Sequence, residues 1–100
     1  MKPSQKQQLL KQLQETPGVG KSIAQDLWDL SIRQVTDLKG KNPQRLYSKR
    51  CAQVGMQIDR CLLYVFRCAV YYASTRRPQP QLLKWWNWKN RSINEGVHAS

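Results

Sequence analysis

A chain of 100 residues is long enough for one hydrophobic core and short for two. Seventeen Lys and Arg stand against six Asp and Glu, a formal net charge of +11; a surplus this large attracts polyanions, nucleic acid first, then an anionic membrane surface or an acidic protein. The longest strongly apolar run, Leu62-Leu63-Tyr64-Val65-Phe66, ends at Arg67, which excludes a bilayer-spanning segment.

The first pattern predicts a helix from Ser4, a cap residue, to about Glu15, with Leu9, Leu10 and Leu13 on one face. Pro17-Gly18-Val19-Gly20 breaks it. A second helix is expected from Lys21 to about Leu30, with Ile23, Leu27 and Leu30 on one stripe flanked by Ala24 and Trp28. A short helical turn around Val35–Leu38 should close at Gly40. Asn42 caps the next helix and Pro43 suits its first turn; the helix carries Leu46, Tyr47, Cys51 and Val54 and stops at Gly55. The most apolar helix, expected from about Ile58 to Ser74, should be central and buried. It also bears a stripe of Arg60, Tyr64, Arg67 and Tyr71. After Pro78 and Pro80, a last short helix is expected from about Gln81 to Asn90, with residues 91–100 as a flexible tail. The expectation is a single domain over residues 4–90, all-α, built as a compact bundle of five to six short helices.

The segment Thr16-Pro17-Gly18-Val19-Gly20-Lys21-Ser22 ends like a nucleotide-binding P-loop. That motif requires G-x-x-x-x-G-K-[ST], and Glu15 stands where its first glycine belongs. The preceding residues are Gln- and Lys-rich rather than a buried strand. A tight turn between two packed helices fits instead. Gly18 and Gly20 permit backbone angles closed to other residues. Pro17 ends the first helix, Val19 points inward, and Ala24 allows close approach. In such a turn the backbone N–H groups of Gly18, Val19, Gly20 and the first turn of the second helix make an anion site. Lys21 adds a charge there and Ser22 a hydroxyl.

A shift of 37 residues brings Leu9-Leu10 onto Leu46-Tyr47, Gly18 onto Gly55, Val19 onto Met56 and Ala24 onto Cys61. The copy is degenerate, since Pro17 becomes Val54 and Gly20 becomes Gln57. Gly55, Met56 and Gln57, flanked by Lys49, Arg50 and Arg60, are the candidates for a second phosphate contact.

The pattern P-G-V-G-x-x-x-A-x-x-L from Pro17 to Leu27 resembles the helix–hairpin–helix motif of proteins that bind DNA without sequence specificity. From about Leu13 to Trp88 the chain also resembles a family of small bacterial helix–hairpin–helix proteins known as pathogenicity-locus or mitomycin-resistance proteins. The matching residues are Pro17 to Ala24, Asp37-Leu38-Lys39-Gly40, Asp59 to Tyr71, and Leu83-Lys84-Trp85-Trp86-Asn87-Trp88. The resemblance implies a SAM-like tandem helix–hairpin–helix fold with a degenerate second hairpin and a DNA-binding role, and it carries over no enzymatic activity; with no acid–base or nucleophile set in the residues, no enzyme is expected.

Other constellations read as structural. Cys51, Cys61 and Cys68 lack metal-ligand spacing, and they are expected as small buried, reduced thiols. The single His98 sits in the expected tail. Asp37 and Lys21 are the nearest candidates for base-excision chemistry, but the chain lacks a second helical domain to enclose a flipped base. No cofactor is expected. Two of Trp85, Trp86 and Trp88 should be core, and the Arg60–Tyr71 stripe should lie beneath them through cation–π contacts. The functional expectation is weak, salt-dependent binding of duplex or structured DNA, as an accessory to DNA repair or recombination in the cytoplasm or on the nucleoid. The alternative is a protein-interaction module of the same fold whose basic face meets an acidic partner. Charge and pattern leave the oligomeric state undetermined.

Overall fold

The computed structural model describes residues 5–89. It contains four α-helices: α1 Gln5–Leu13, α2 Lys21–Asp29, α3 Pro43–Val54 and α4 Cys61–Ser74. Three 3₁₀ turns accompany them, Val35–Leu38, Pro80–Leu83 and Trp85–Trp88. The described residues contain no strand. The radius of gyration is 13.2 Å, close to that of a compact domain of this length. Ser4 and the expected tail lie outside the described residues.

α4 is the centre. Leu62, Leu63, Val65, Phe66, Cys68, Ala69, Val70 and Tyr71 are all buried. α3 packs against α4, α1 against α2, and the two C-terminal 3₁₀ turns cover another side of α4. Leu13, Val19, Ala24, Leu27, Leu38 and Leu46 join α4 in one cluster. Each large apolar side chain so buried contributes about 1.5–3 kcal/mol. The Cys68 thiol is pushed up to about 12 by burial, so this cysteine stays a neutral core residue. The expected burial fails for Cys61, which is exposed, and holds only in part for Cys51, which is half-buried.

Local chemistry sets the helix limits. Asn42 Oδ1 accepts the N–H groups of Gln44 (2.9 Å) and Arg45 (3.3 Å), so α3 begins at Pro43 as its cap residue dictates. α3 closes at Gly55 with φ +74°. α4 starts at Cys61 rather than near Ile58, because Asp59 Oδ1 accepts the Cys61 N–H at 2.8 Å and acts as a local cap. The residues before it are tied back to α3: Ile58 N–H donates to Cys51 Sγ, and the Tyr47 hydroxyl donates to Ile58 O.

The last expected helix is instead two 3₁₀ turns separated by Lys84 in an extended conformation (φ −94°, ψ 110°). Trp88 Nε1 and the Cys68 thiol both donate to Leu82 O, and Asn87 Nδ2 donates to Gln81 O. These side chains take carbonyls that a continuous helix would have used. The bundle therefore has fewer α-helices than the five to six expected from periodicity.

Two further groups are committed to the scaffold. Arg50 joins α3 to α2 through Asp26 (2.9 Å) and Asp29 (3.1 Å). Asp37 accepts the backbone N–H groups of Arg33 (3.0 Å) and Gln34 (3.1 Å), so this carboxylate closes a turn and does not stand free as a general base.

Candidate nucleic-acid interface

The connection between α1 and α2 turns more than once. Gln14, Glu15 and Thr16 donate their N–H groups back to the end of α1, which therefore stops four residues before Pro17. Gly18 then adopts φ +82°, where an L side chain is strained. A Cβ at Gly18 would also lie 3.2 Å from Cδ1 of Trp85, so this position requires glycine for both angle and space. Val19 is 5% exposed and turned into the core, as its place between two glycines suggests. Its N–H is used by Thr16 O at 3.0 Å, which removes it from the donors expected to face an anion.

Gly20 behaves differently from expectation. Its φ of −93° and ψ of −171° are open to any residue, so conformational freedom is not its role. It occupies the cap position of α2, and a Cβ there would meet nothing within 4 Å. The first intrahelical bond of α2 runs from Ala24 N–H to Gly20 O at 2.9 Å, and no side chain caps the helix start. The N–H groups of the first turn therefore have no intrahelical acceptor and receive no bond from the cap residue, at the positive end of the helix dipole. Lys21 and Ser22 are exposed beside them. Both open onto a cleft of about 710 Å³ between α1, α2 and α3, whose walls include Gln7, Gln14, Gln25 and Arg50.

The second turn does not reproduce this arrangement. Gly55 and Met56 both donate to Cys51 O, at 2.9 and 3.2 Å, finishing α3. Met56 is 68% exposed where its counterpart Val19 is buried. The Asp59 carboxylate sits on the first N–H of α4, and that backbone hydrogen bond holds its pKa below the ordinary aspartate value. A carboxylate thus already occupies the place a phosphate would take. Of the flanking cations, Arg50 is bound to Asp26 and Asp29. Lys49 lines a separate cleft with Lys39 and Lys41. Gln57, in the place of Gly20, is exposed in the loop between α3 and α4. Arg60 alone of the three cations stays near the turn, in a small pocket with Asp59 and Trp86.

The segment carrying Trp85, Trp86 and Trp88 lies on α4 and reaches the first turn. Trp88 is fully buried, Trp85 half-buried and Trp86 56% exposed, which gives the expected two inward rings of three. Trp88 packs on Tyr71 with ring centroids 5.3 Å apart. Arg67 does not stack on a tryptophan. It lies 5.7 Å from the Tyr64 ring and donates to Trp88 O at 2.8 Å. The stripe is covered only in part: Tyr71 is buried, Tyr64 and Arg67 are half-buried, and Arg60 is exposed before the start of α4, with the Arg67 contact made to a carbonyl rather than through an Arg–Trp cation–π pair. Asp59 and Lys89 were not legible as interface residues, although an Asp two positions before an apolar run is a recognised cap signal. Among the described residues no group of His, Cys, Asp and Glu has the makings of a metal site, and no helix is long and apolar enough to cross a membrane.

The pathogenicity-locus family, Cdd1, matches residues 6–93. The chain belongs to this family. It is also 30% identical over 70 residues to the mitomycin resistance protein McrB of Streptomyces lavendulae. That match covers 70% of this chain and 63% of the relative's length. No solved structure matches. In this family member the tryptophan segment reaches the first turn at Gly18, where a Cβ would lie 3.2 Å from Trp85.

Proposed function

We propose that this protein binds DNA without sequence preference, seating a backbone phosphate at the start of α2. The observation that carries the reading is the N-terminus of α2, which has no side-chain cap, begins at a glycine with room around its side-chain position, and is flanked by exposed Lys21 and Ser22. A phosphate is the anion that geometry and charge favour there. In this reading α1, the turn and α2 are a helix–hairpin–helix, and α3, Gly55 and α4 are a degenerate, structural second copy in a SAM-like tandem. The contacts go to phosphates, so affinity should fall steeply with salt and respond little to sequence. A single small site binds in the range of nonspecific complexes, about 10⁻⁴–10⁻⁶ M. The relative's name concerns mitomycin resistance. The protein would serve such resistance as an accessory to DNA repair or recombination in the cytoplasm or on the nucleoid.

The test is fluorescence anisotropy with labelled duplex at two salt concentrations. The variant should be Gly20→Asp with Lys21→Glu. Substitution at Gly18 would strain the turn and strike Trp85, whereas a side chain at Gly20 has room. The new carboxylate would stand at the cap position of α2, where it can accept first-turn N–H groups, keeping the fold while filling the site. Salt-dependent binding by the wild type and its loss in the folded variant is the expected result. Equal binding by both would sink the phosphate site and leave only diffuse charge attraction.

One observation favours a second reading, a protein-interaction module of the same fold. Val54 and Met56 are exposed side by side at the second turn, where a purely structural copy would bury them. In that case Val54→Ser with Met56→Ser weakens partner binding, and the α2 variant leaves it intact.

A further inference from the structure

A pocket of about 300 Å³ opens beside the first turn, between the start of α4 and the tryptophan segment. Its aromatic walls are Tyr64, Trp85 and Trp86, and its cations are Arg60 and Lys89. The Trp85 and Trp86 rings stand 5.8 Å apart at 85° to one another, so they present two perpendicular aromatic faces. Trp86 is 56% exposed, a large apolar ring left in water on a protein that buries Trp88 completely. The one acid in the lining, Asp59, is committed to the Cys61 N–H at 2.8 Å. Arg67 pins the segment by donating to Trp88 O and Lys89 O, at 2.8 and 3.4 Å, which holds the tryptophan face in place against α4.

Flat aromatic faces rimmed by cations suit a ligand that is itself flat, aromatic and attached to negative charge. An unpaired nucleobase has those properties. Stacking accepts any base, while Arg60 and Lys89 attract the phosphates on either side. We infer that this pocket receives a single unstacked base of a DNA strand whose backbone lies at the start of α2. The inference rests on the phosphate reading for the placement of the strand, and Trp85 is the physical link, since it lines the pocket and touches Gly18. The protein then prefers DNA with an unpaired nucleotide, at a flap, gap or junction, over continuous duplex.

Two measurements test this. The first follows the indole N–H signals in ¹H–¹⁵N spectra, with Trp86 assigned through Trp86→Phe, while a single-stranded tetranucleotide or its abasic counterpart is added. The base-bearing tetramer should move the Trp86 signal and the abasic one should not. Equal shifts with both, or none with either, overturn the pocket, as does a shift produced only by an acidic peptide. The second compares, by anisotropy, a duplex bearing one extrahelical nucleotide with a continuous duplex. Wild type should prefer the former, and Trp86→Ala should erase that margin, a loss of roughly 5- to 150-fold for one stacked base, with continuous duplex unaffected. Should Trp86→Ala misfold by circular dichroism, exposed Arg60→Gln replaces it and should reduce the same margin. A variant that weakens both duplexes equally overturns the base pocket while leaving the phosphate reading standing. A wild type that ignores duplex while its Trp86 signal follows the tetranucleotide retains the pocket and removes the phosphate reading.

Discussion

The two turns of this molecule share a glycine and little else. Gly18 and Gly55 both take positive φ, +82° and +74°. After the glycine they diverge. The first turn buries Val19 and leaves the start of α2 without a side-chain cap; the second exposes Met56 and closes the start of α4 with Asp59. The first glycine is packed against Trp85, and the second has open space around it. A similar stretch of sequence can therefore end one helix twice and yet begin the next in opposite electrostatic states. The difference comes from one carboxylate and one tryptophan.

Substitution of the glycines should separate the turns most strongly. Gly18→Ala is expected to cost about 2–4 kcal/mol, combining left-handed strain with contact against Trp85. Gly55→Ala has the strain alone and should cost about 1–2 kcal/mol. Urea unfolding midpoints decide the matter, and equal losses would mean that the Trp85 contact is unimportant. A smaller effect of opposite sign is expected at Thr16, which is 2% exposed with its Oγ1 buried and lacking a hydrogen-bond partner. Its counterpart in the repeat, Gln53, is exposed and donates to Asp29 O at 2.9 Å. Thr16→Val should stabilise by about 1 kcal/mol, and a loss would show that the hydroxyl is satisfied in solution.

The subtlest expected effect concerns the cap that distinguishes the second turn. Hydrogen bonding to Asp59 raises the pKa of the Cys61 thiol, while the Cys61 N–H lowers that of Asp59. Asp59→Asn should make Cys61 react faster with a disulfide reagent near neutral pH, while buried Cys68 stays protected in both proteins. The sign of the pH dependence follows from the lowered aspartate pKa. The stability contributed by the cap is present above the ordinary aspartate range and is lost as pH falls through the lowered folded-state value. Wild type and Asp59→Asn should therefore differ near neutrality and converge in strong acid. A constant difference across pH would assign the effect to something other than the carboxylate.

Much of this was legible in the residues. Helix order followed from periodicity and punctuation, and the Asn42–Pro43 start and Gly55 stop of α3 came out where cap chemistry placed them. The apolar circumference of α4 announced the central helix. The tandem repeat misled beyond its glycines, because identical spacing says nothing of which carbonyl or carboxylate captures the next N–H. The tryptophan segment misled as well: its helical pattern yielded to Trp88, Cys68 and Asn87 taking carbonyls within it.

Sequence alone determined the basic charge, the all-helical class, the family and the glycine-bearing turn, since these rest on composition and on local backbone preference. Only the tertiary structure decided which charges remain free. Arg50 is held by Asp26 and Asp29, Asp59 is drawn onto the start of α4, and Trp85 is laid on Gly18. Such pairings join residues from separate elements, and their energies depend on distance and burial that exist only once the helices have packed.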